Sequence, residues 1–449
     1  MTQPPLESPA MLSREEIAQL EAGHTAVSPT LAWFLVVVFL AAIVVAPLAE
    51  FALAERPEGD QASGTAWSIL AALPREVSGQ LSDMPPTGGH DTWTRIVTAN
   101  RAVLAGLSSF ESALEDGSTI GGRLRPPAQL AMSRWLGAGN ERVYRGREGW
   151  LFYRPDVEYL TGRGFLTPAE LERRVRSASE WTRPIEPDPR KAILRLKKDL
   201  DARGITLIVM PTPVKPTVHP AKLAGRFDER SAPPHNPSYA AFLDDLVREG
   251  VLVLDVSQAL ADAASGAAQY LATDTHWRPE AMEMAAEALG GMIAAHALLP
   301  DAPDPGHRVE RVEVRAAGDS ARMLDLPSGQ IVYPAEAVWL RRVLEADGTP
   351  WQPSRDADVL VLGDSFSNIY SLPSMGWGGA AGFVEQVSYV LRRPIDRIVQ
   401  NDDGAFATRA MLSQSGDDRL VGKRVVIYEF AARELAFGDW RLIDLGARP

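Results

Sequence analysis

Apolar residues fall into three regimes along this chain. Leu31 to Ala49 is an unbroken run without a charge. From Glu50 to about Asn140, glycine and proline are mixed with short amphipathic runs such as Trp93 to Leu114. From Val143 onward, short apolar blocks alternate with stretches of helical period. The blocks Ile205–Met210, Val251–Val256, Val359–Leu362, Arg397–Gln400 and Val425–Glu429 read as strands. Between them, Pro168–Trp181, Arg190–Ala202, Pro237–Arg248, Pro279–His296 and Ala380–Leu391 read as helices. Three of these open with proline, which is pre-set for a first helical position, and Gly204 and Gly250 close two. Such alternation predicts an α/β fold, a mostly parallel sheet with helices on both faces. Sites in such sheets gather beyond the carboxyl ends of the strands.

The same pattern divides the chain. Residues 1–28 are polar and form a tail, and 29–50 hold the charge-free run, 19 residues from Leu31 to Ala49. At about 1.5 Å per residue that run approaches the thickness of a hydrocarbon core and predicts a membrane anchor. Ala52-Leu53-Ala54 has the small-x-small form of a signal cleavage site, the competing reading. Against cleavage stand the long preceding tail, its single basic residue Arg14, and the length of the run. Residues 51–140 read as a stalk or small helical region, and 141–445 as the catalytic body. Within it, about 300–353 is richer in Pro, Gly and charge, an insertion with a short hairpin expected at Gln330–Tyr333 and Val338–Val343.

Composition removes some functions. A net charge of -12 over 449 residues opposes sequence-independent nucleic-acid binding, which relies on clustered Lys and Arg. The chain has no cysteine, so disulfides, thiolate metal sites and a cysteine nucleophile are excluded. No histidine pair has metal-ligand spacing with a carboxylate, and there is no Walker loop or dinucleotide fingerprint, so chemistry with no metal and no cofactor is expected.

Ser365 lies where an apolar strand runs into Gly363-Asp364-Ser365-Phe366-Ser367. A serine hydroxyl at a strand-to-helix turn can project, and backbone N–H groups there can face a developing oxyanion. It still needs a base. Of seven histidines, only His276 has an acid two positions before it, Asp274, which in an extended loop points to the same side. Asp274 can then orient Nδ1 while Nε2 faces Ser365. Read blandly, the first segment is an ordinary turn and the second a helix cap beside a surface histidine.

Five segments taken in order resemble the alginate O-acetyltransferase AlgJ/AlgX family of SGNH-hydrolase-like proteins. They are Gly146-Arg147-Glu148-Gly149-Trp150-Leu151-Phe152, Val209-Met210-Pro211-Thr212-Pro213-Val214-Lys215, Asp274-Thr275-His276-Trp277, the Gly363–Ser367 turn and Arg433-Glu434-Leu435. The likeness runs from about Val143 to Trp440, and the order Asp-x-His before Gly-Asp-Ser is distinctive, since ordinary SGNH esterases place the serine first. The resemblance implies a flavodoxin-like three-layer fold after one N-terminal transmembrane helix. It implies Ser365 as nucleophile, His276 as base and Asp274 as orienting carboxylate. Arg433, Lys215, Asn401 and Trp277 become candidates for substrate or oxyanion contact. Three have a plainer reading: a surface ion pair for Arg433, a solvated lysine for Lys215 and a core tryptophan for Trp277.

The implied reaction is acetyl transfer through an acetyl-serine to hydroxyls of an exported polysaccharide, alginate-like or another. The implied partner is a multispanning membrane-bound O-acyltransferase delivering the acetyl group, with the catalytic domain in the periplasm of the bacterial inner membrane. A polyanionic acceptor would need a locally basic groove, for which Arg341, Arg342, Arg392 and Arg393 are candidates. A carbohydrate acetylesterase with the same triad and a non-catalytic glycan-binding scaffold remain open.

Overall fold

The computed structural model describes residues 28–53, 66–82, 91–177, 185–227, 232–401, 404–415 and 418–446. The expected tail, 1–28, lies outside them except for its last residue. Backbone contacts divide the chain into one unit of Met1–Leu73 with Gly106–Arg123 and a second of Pro74–Ala105 with Leu124–Pro449.

The charge-free run folds as the helix Pro29–Leu53. Its described side chains from Leu31 to Leu40 are exposed, Trp33 at 70% and Phe39 at 63%. Among the described residues no helix is long and apolar enough to cross a membrane, and the apolar run continues past the described side chains of this helix. Further helices span Ala66–Ser82, Asp91–Asp116 and Thr119–Ala131.

Past Val143 the alternating blocks become strands. A short antiparallel pair, β1 (Val143–Arg145) and β2 (Leu151–Tyr153), precedes the main sheet. That sheet contains β3 (Thr206–Thr212), β4 (Leu252–Val253), β7 (Val359–Gly363), β8 (Asp396–Val399) and β9 (Val425–Ala431). Every neighbouring pair is parallel. Alternate residues of the strands face opposite layers, and both layers are apolar. Ile208, Met210, Val359, Val361, Val425 and Ile427 pack with the helices Pro279–Ala295 and Phe383–Leu391. Leu207, Val209, Leu360, Leu362, Val426 and Tyr428 pack with the helices Pro189–Asp201 and Tyr239–Arg248. Burial on both faces explains why these strands read as continuous apolar blocks.

The spatial order is β4-β3-β9-β7-β8, so the last strand made lies at the centre of the sheet. Started at β7 and carried through the C-terminal strand back to β3 and β4, the order becomes 2-1-3-4-5 of a flavodoxin-like sheet. The expected fold is thus present in cyclically shifted order. The shift explains why Asp274 and His276 precede Ser365 in the chain. The switch point falls between β7 and β9.

The hairpin of the inserted region differs from expectation. Its strands are β5 (Arg308–Ala316) and β6 (Glu336–Leu344), antiparallel, with Arg308 opposite Leu344 and Ala316 opposite Glu336. Gln330 and Tyr333 instead close a turn, the Gln330 amide accepting from Tyr333 N–H and donating to its carbonyl. The sequence of β5 alternates valine with Arg or Glu over a largely exposed strand, so it lacks the apolar block that marks a buried one.

Candidate active site

The apolar strand β7 ends at Gly363, and Asp364 caps the short helix Ser365–Asn368, its Oδ1 accepting from Phe366 N–H at 2.8 Å. The Ser365 N–H thus opens a helix and has no partner inside it. A Cβ on Gly363 would lie 2.3 Å from Ser367 Oγ, so only glycine permits this turn.

The loop before the helix Pro279–Ala295 meets the turn. His276 Nε2 lies 2.9 Å from Ser365 Oγ, and Nδ1 lies 2.7 Å from Asp274 Oδ1. Asp274 is fully buried and His276 nearly so, while Ser365 is 9% exposed. Asp274 Oδ1 also accepts from His276 N–H, and Oδ2 accepts from the Asp319 N–H and the Trp377 indole, each at 2.9 Å. Burial alone would raise the Asp274 pKa, but His276 and these two donors hold it well below the usual carboxylate range. Burial works to lower the His276 pKa. The hydrogen bond and charge of Asp274, with the charge of Asp319, more than offset it, and the imidazole lies above its ordinary value.

Asp319 and Trp377 have no counterpart in the motif reading. They come from the insertion and from a Gly-flanked loop, 45 and 103 residues from Asp274. The Asp319 carboxylate also accepts from Thr275 N–H at 2.7 Å and stands 3.6 Å from His276 Nδ1. Asp274, His276 and Asp319 bring one donor atom each within 4.8 Å of one another. Hydrogen bonds engage both Asp274 oxygens, Asp319 Oδ1 and both ring nitrogens of His276.

Four further residues divide into two pairs. Asn401 and Arg433 line, with Ser365, Gly363, Gln400 and Glu429, a cavity of about 60 Å³ at the switch point. Asn401 Oδ1 accepts from Asn368 at 2.8 Å, and its amide nitrogen has no protein partner among the described residues. Arg433 donates from Nη1 to the buried Asp156 at 3.0 Å, not to Glu434 or Glu429. Its guanidinium also sits 5.8 Å from the Phe366 ring centroid.

Lys215 and Trp277 do not line the cavity. Lys215 is fully buried and donates to the carbonyls of Leu151 at 2.6 Å and Ala272 at 3.3 Å, and burial brings its pKa down to about 8. Neither the substrate nor the solvated reading describes it; it ties β2 to the segment leading into Asp274. Trp277 is also fully buried, donating to Phe366 O at 3.1 Å and packing edge-on against that ring. It joins the loop bearing His276 to the turn bearing Ser365.

A second hollow of about 420 Å³ adjoins the first through Gln400 and Asn401, lined also by Asn368, Leu372, Arg397 and Arg419. Arg341, Arg342, Arg392 and Arg393 line neither hollow. They pair with Glu283, Glu310, Asp304 and Asp358.

A parallel doubly wound sheet with a buried Asp-His-Ser chain at its switch point defines the class of SGNH-hydrolase-like proteins. Residues 143–432 match the family model described as the SGNH hydrolase-like domain of acetyltransferase AlgX, and the chain belongs to that family. A probable alginate O-acetylase AlgJ of Pseudomonas syringae pv. tomato is 24% identical over 257 residues, 56% of this chain and 63% of that protein. A counterpart of the same description from Pseudomonas aeruginosa is 30% identical over 162 residues, 36% of this chain and 35% of that protein. The O-acetyltransferase domain of Pseudomonas putida AlgJ superposes with a TM-score of 0.50 at 22% identity, covering 66% of this chain and 92% of that domain. This likeness concerns the fold.

Proposed function

We propose that this protein transfers acetyl groups, through an acetyl-serine intermediate, to hydroxyls of an exported bacterial polysaccharide. The observation that carries the reading is the pair of distances at His276, 2.9 Å to Ser365 Oγ and 2.7 Å to Asp274 Oδ1. As Ser365 Oγ attacks an acetyl carbonyl, His276 Nε2 takes its proton, and Asp274 stabilises the imidazolium. The tetrahedral oxyanion would meet the Ser365 N–H, with the Asn401 amide and the Arg433 guanidinium beside it. Collapse expels the donor's leaving group, which takes the proton back from His276. A sugar hydroxyl then gives its proton to the same nitrogen and attacks the acetyl-serine, and as the ester bond breaks, His276 returns that proton to Ser365 Oγ. Family membership supports transfer over hydrolysis. The adjoining hollow offers the acceptor room, with amides from Asn368, Gln400 and Asn401 and no carboxylate among its described lining residues.

The same reading places the catalytic body outside the inner membrane, held by the charge-free run Leu31–Ala49, whose described side chains from Leu31 to Leu40 are apolar and exposed. A multispanning acyltransferase would supply the acetyl group, since acetyl-CoA stays in the cytosol. The alginate named for the relatives is one acceptor of the right class. The test is purified protein given an acetyl ester with and without oligouronate. Acetylated oligosaccharide and its loss in Ser365→Ala are expected; acetate as the sole acetyl product would reject the transferase reading.

A further inference from the structure

Glu429 lies in the middle of β9 beneath the nucleophile turn and is 1% exposed. Its Oε2 accepts from Asp364 N–H at 3.1 Å and from Ser367 Oγ at 2.7 Å, residues on either side of Ser365. Its Oε1 accepts from Thr212 Oγ1, at the end of β3, at 2.6 Å. Among the described residues no cation bonds to it, so hydrogen bonds alone offset its burial.

We propose that Glu429 is the positioning residue of the nucleophile: its carboxyl fixes both flanks of Ser365 and keeps Oγ within reach of His276. Three features converge on this role. All three of its hydrogen bonds go to the turn itself or to the neighbouring strand end. Gly363 leaves the space it reaches through, since a Cβ there would lie 3.2 Å from Glu429 Oε2 as well as against Ser367. Glu429 also forms part of the wall of the cavity that holds Ser365.

Burial, then the neighbouring Asp364 carboxylate, pushes the Glu429 carboxyl up to about 8. At neutral pH it therefore carries a proton and can both donate and accept. Glutamine has the same shape and can do the same, its amide donating to Thr212 Oγ1 while its oxygen receives Asp364 N–H and Ser367 Oγ–H.

The role rests on Ser365 being the nucleophile, so the experiment includes Ser365→Ala. Steady-state turnover of 4-nitrophenyl acetate by the full chain is measured for Glu429→Ala, Glu429→Gln, Ser367→Ala and Ser365→Ala, with thermal unfolding midpoints alongside. Small displacements of a reacting group cost on the order of tenfold to a hundredfold, so folded Glu429→Ala should lose about that factor in kcat with KM within about twofold. Glu429→Gln should recover most of the loss, and Ser367→Ala should lower kcat by about threefold, with KM kept. Unchanged kcat in folded Glu429→Ala overturns the proposal. If that variant does not fold, unchanged kcat in Ser367→Ala overturns it instead. Full turnover by Ser365→Ala would reject the nucleophile reading beneath it, a separate outcome.

Discussion

At the scale of single residues, the site is governed by which charges face His276. In the proposed mechanism His276 must be neutral to take the serine proton, so activity should fall as pH drops through its pKa. Asp274 and Asp319 raise that pKa against the effect of burial, so the acid limb of kcat/KM should have its midpoint above about 6.5, the value of an unperturbed histidine. Asp274→Asn removes the largest favourable influence. It should move the limb to lower pH while kcat falls by about a thousandfold or more, and a pH-rate profile reads both. Arg433 acts with the opposite sign, lowering the His276 pKa, so Arg433→Met should move the limb upward. It also strands Asp156, which is wholly buried with one oxygen already unpartnered, and should cost about 3 kcal/mol in denaturant unfolding. A surface ion pair would cost nearly nothing on removal, so the unfolding measurement separates the two situations.

At the scale of elements, the loop bearing Asp274 and His276 is held by a segment that lies in the expected insertion. Gly318 approaches the loop so closely that a Cβ would sit 2.1 Å from Thr273 O and 2.5 Å from Asp274 N. Both are main-chain atoms and cannot swing aside. Gly318→Ala should therefore displace the Asp274 loop and lower kcat by about tenfold or more, with a fall of several degrees in the unfolding midpoint. Equal kinetics in that variant would show that the loop is held elsewhere. Asp274 and His276 were legible as a candidate pair because acid and imidazole stand two residues apart, and Ser365 because Gly-Asp-Ser ends an apolar strand, although 89 residues separate it from His276. Asp319 and Trp377 were not, because their link to Asp274 is made by folding across long sequence separations and neither type advertises it. Strands with two buried faces announced themselves as apolar blocks. The exposed β5 alternates charge with valine and did not. Lys215 illustrates a different limit: the motif marked its position, while only packing shows that its ammonium faces main-chain carbonyls.

At the scale of the whole molecule, the proposed placement outside the inner membrane has a direct test. The full chain should sediment with membranes and resist carbonate extraction, and a chain starting at residue 66 should not, while keeping 4-nitrophenyl acetate turnover. A freely soluble full chain would reject the anchor. The cyclic strand order has a consequence for how the protein is made. Until Val425–Ala431 has been synthesised, β3 with β4 and β7 with β8 are two separate pairs with a gap where their common neighbour belongs. An unfinished polypeptide therefore carries the His276 and Ser365 segments without the central strand that lies between their strand pairs. The keystone arrives last, so a chain cut short before it loses the middle of its sheet rather than a margin, and any export step before that moment meets an open, unlocked molecule.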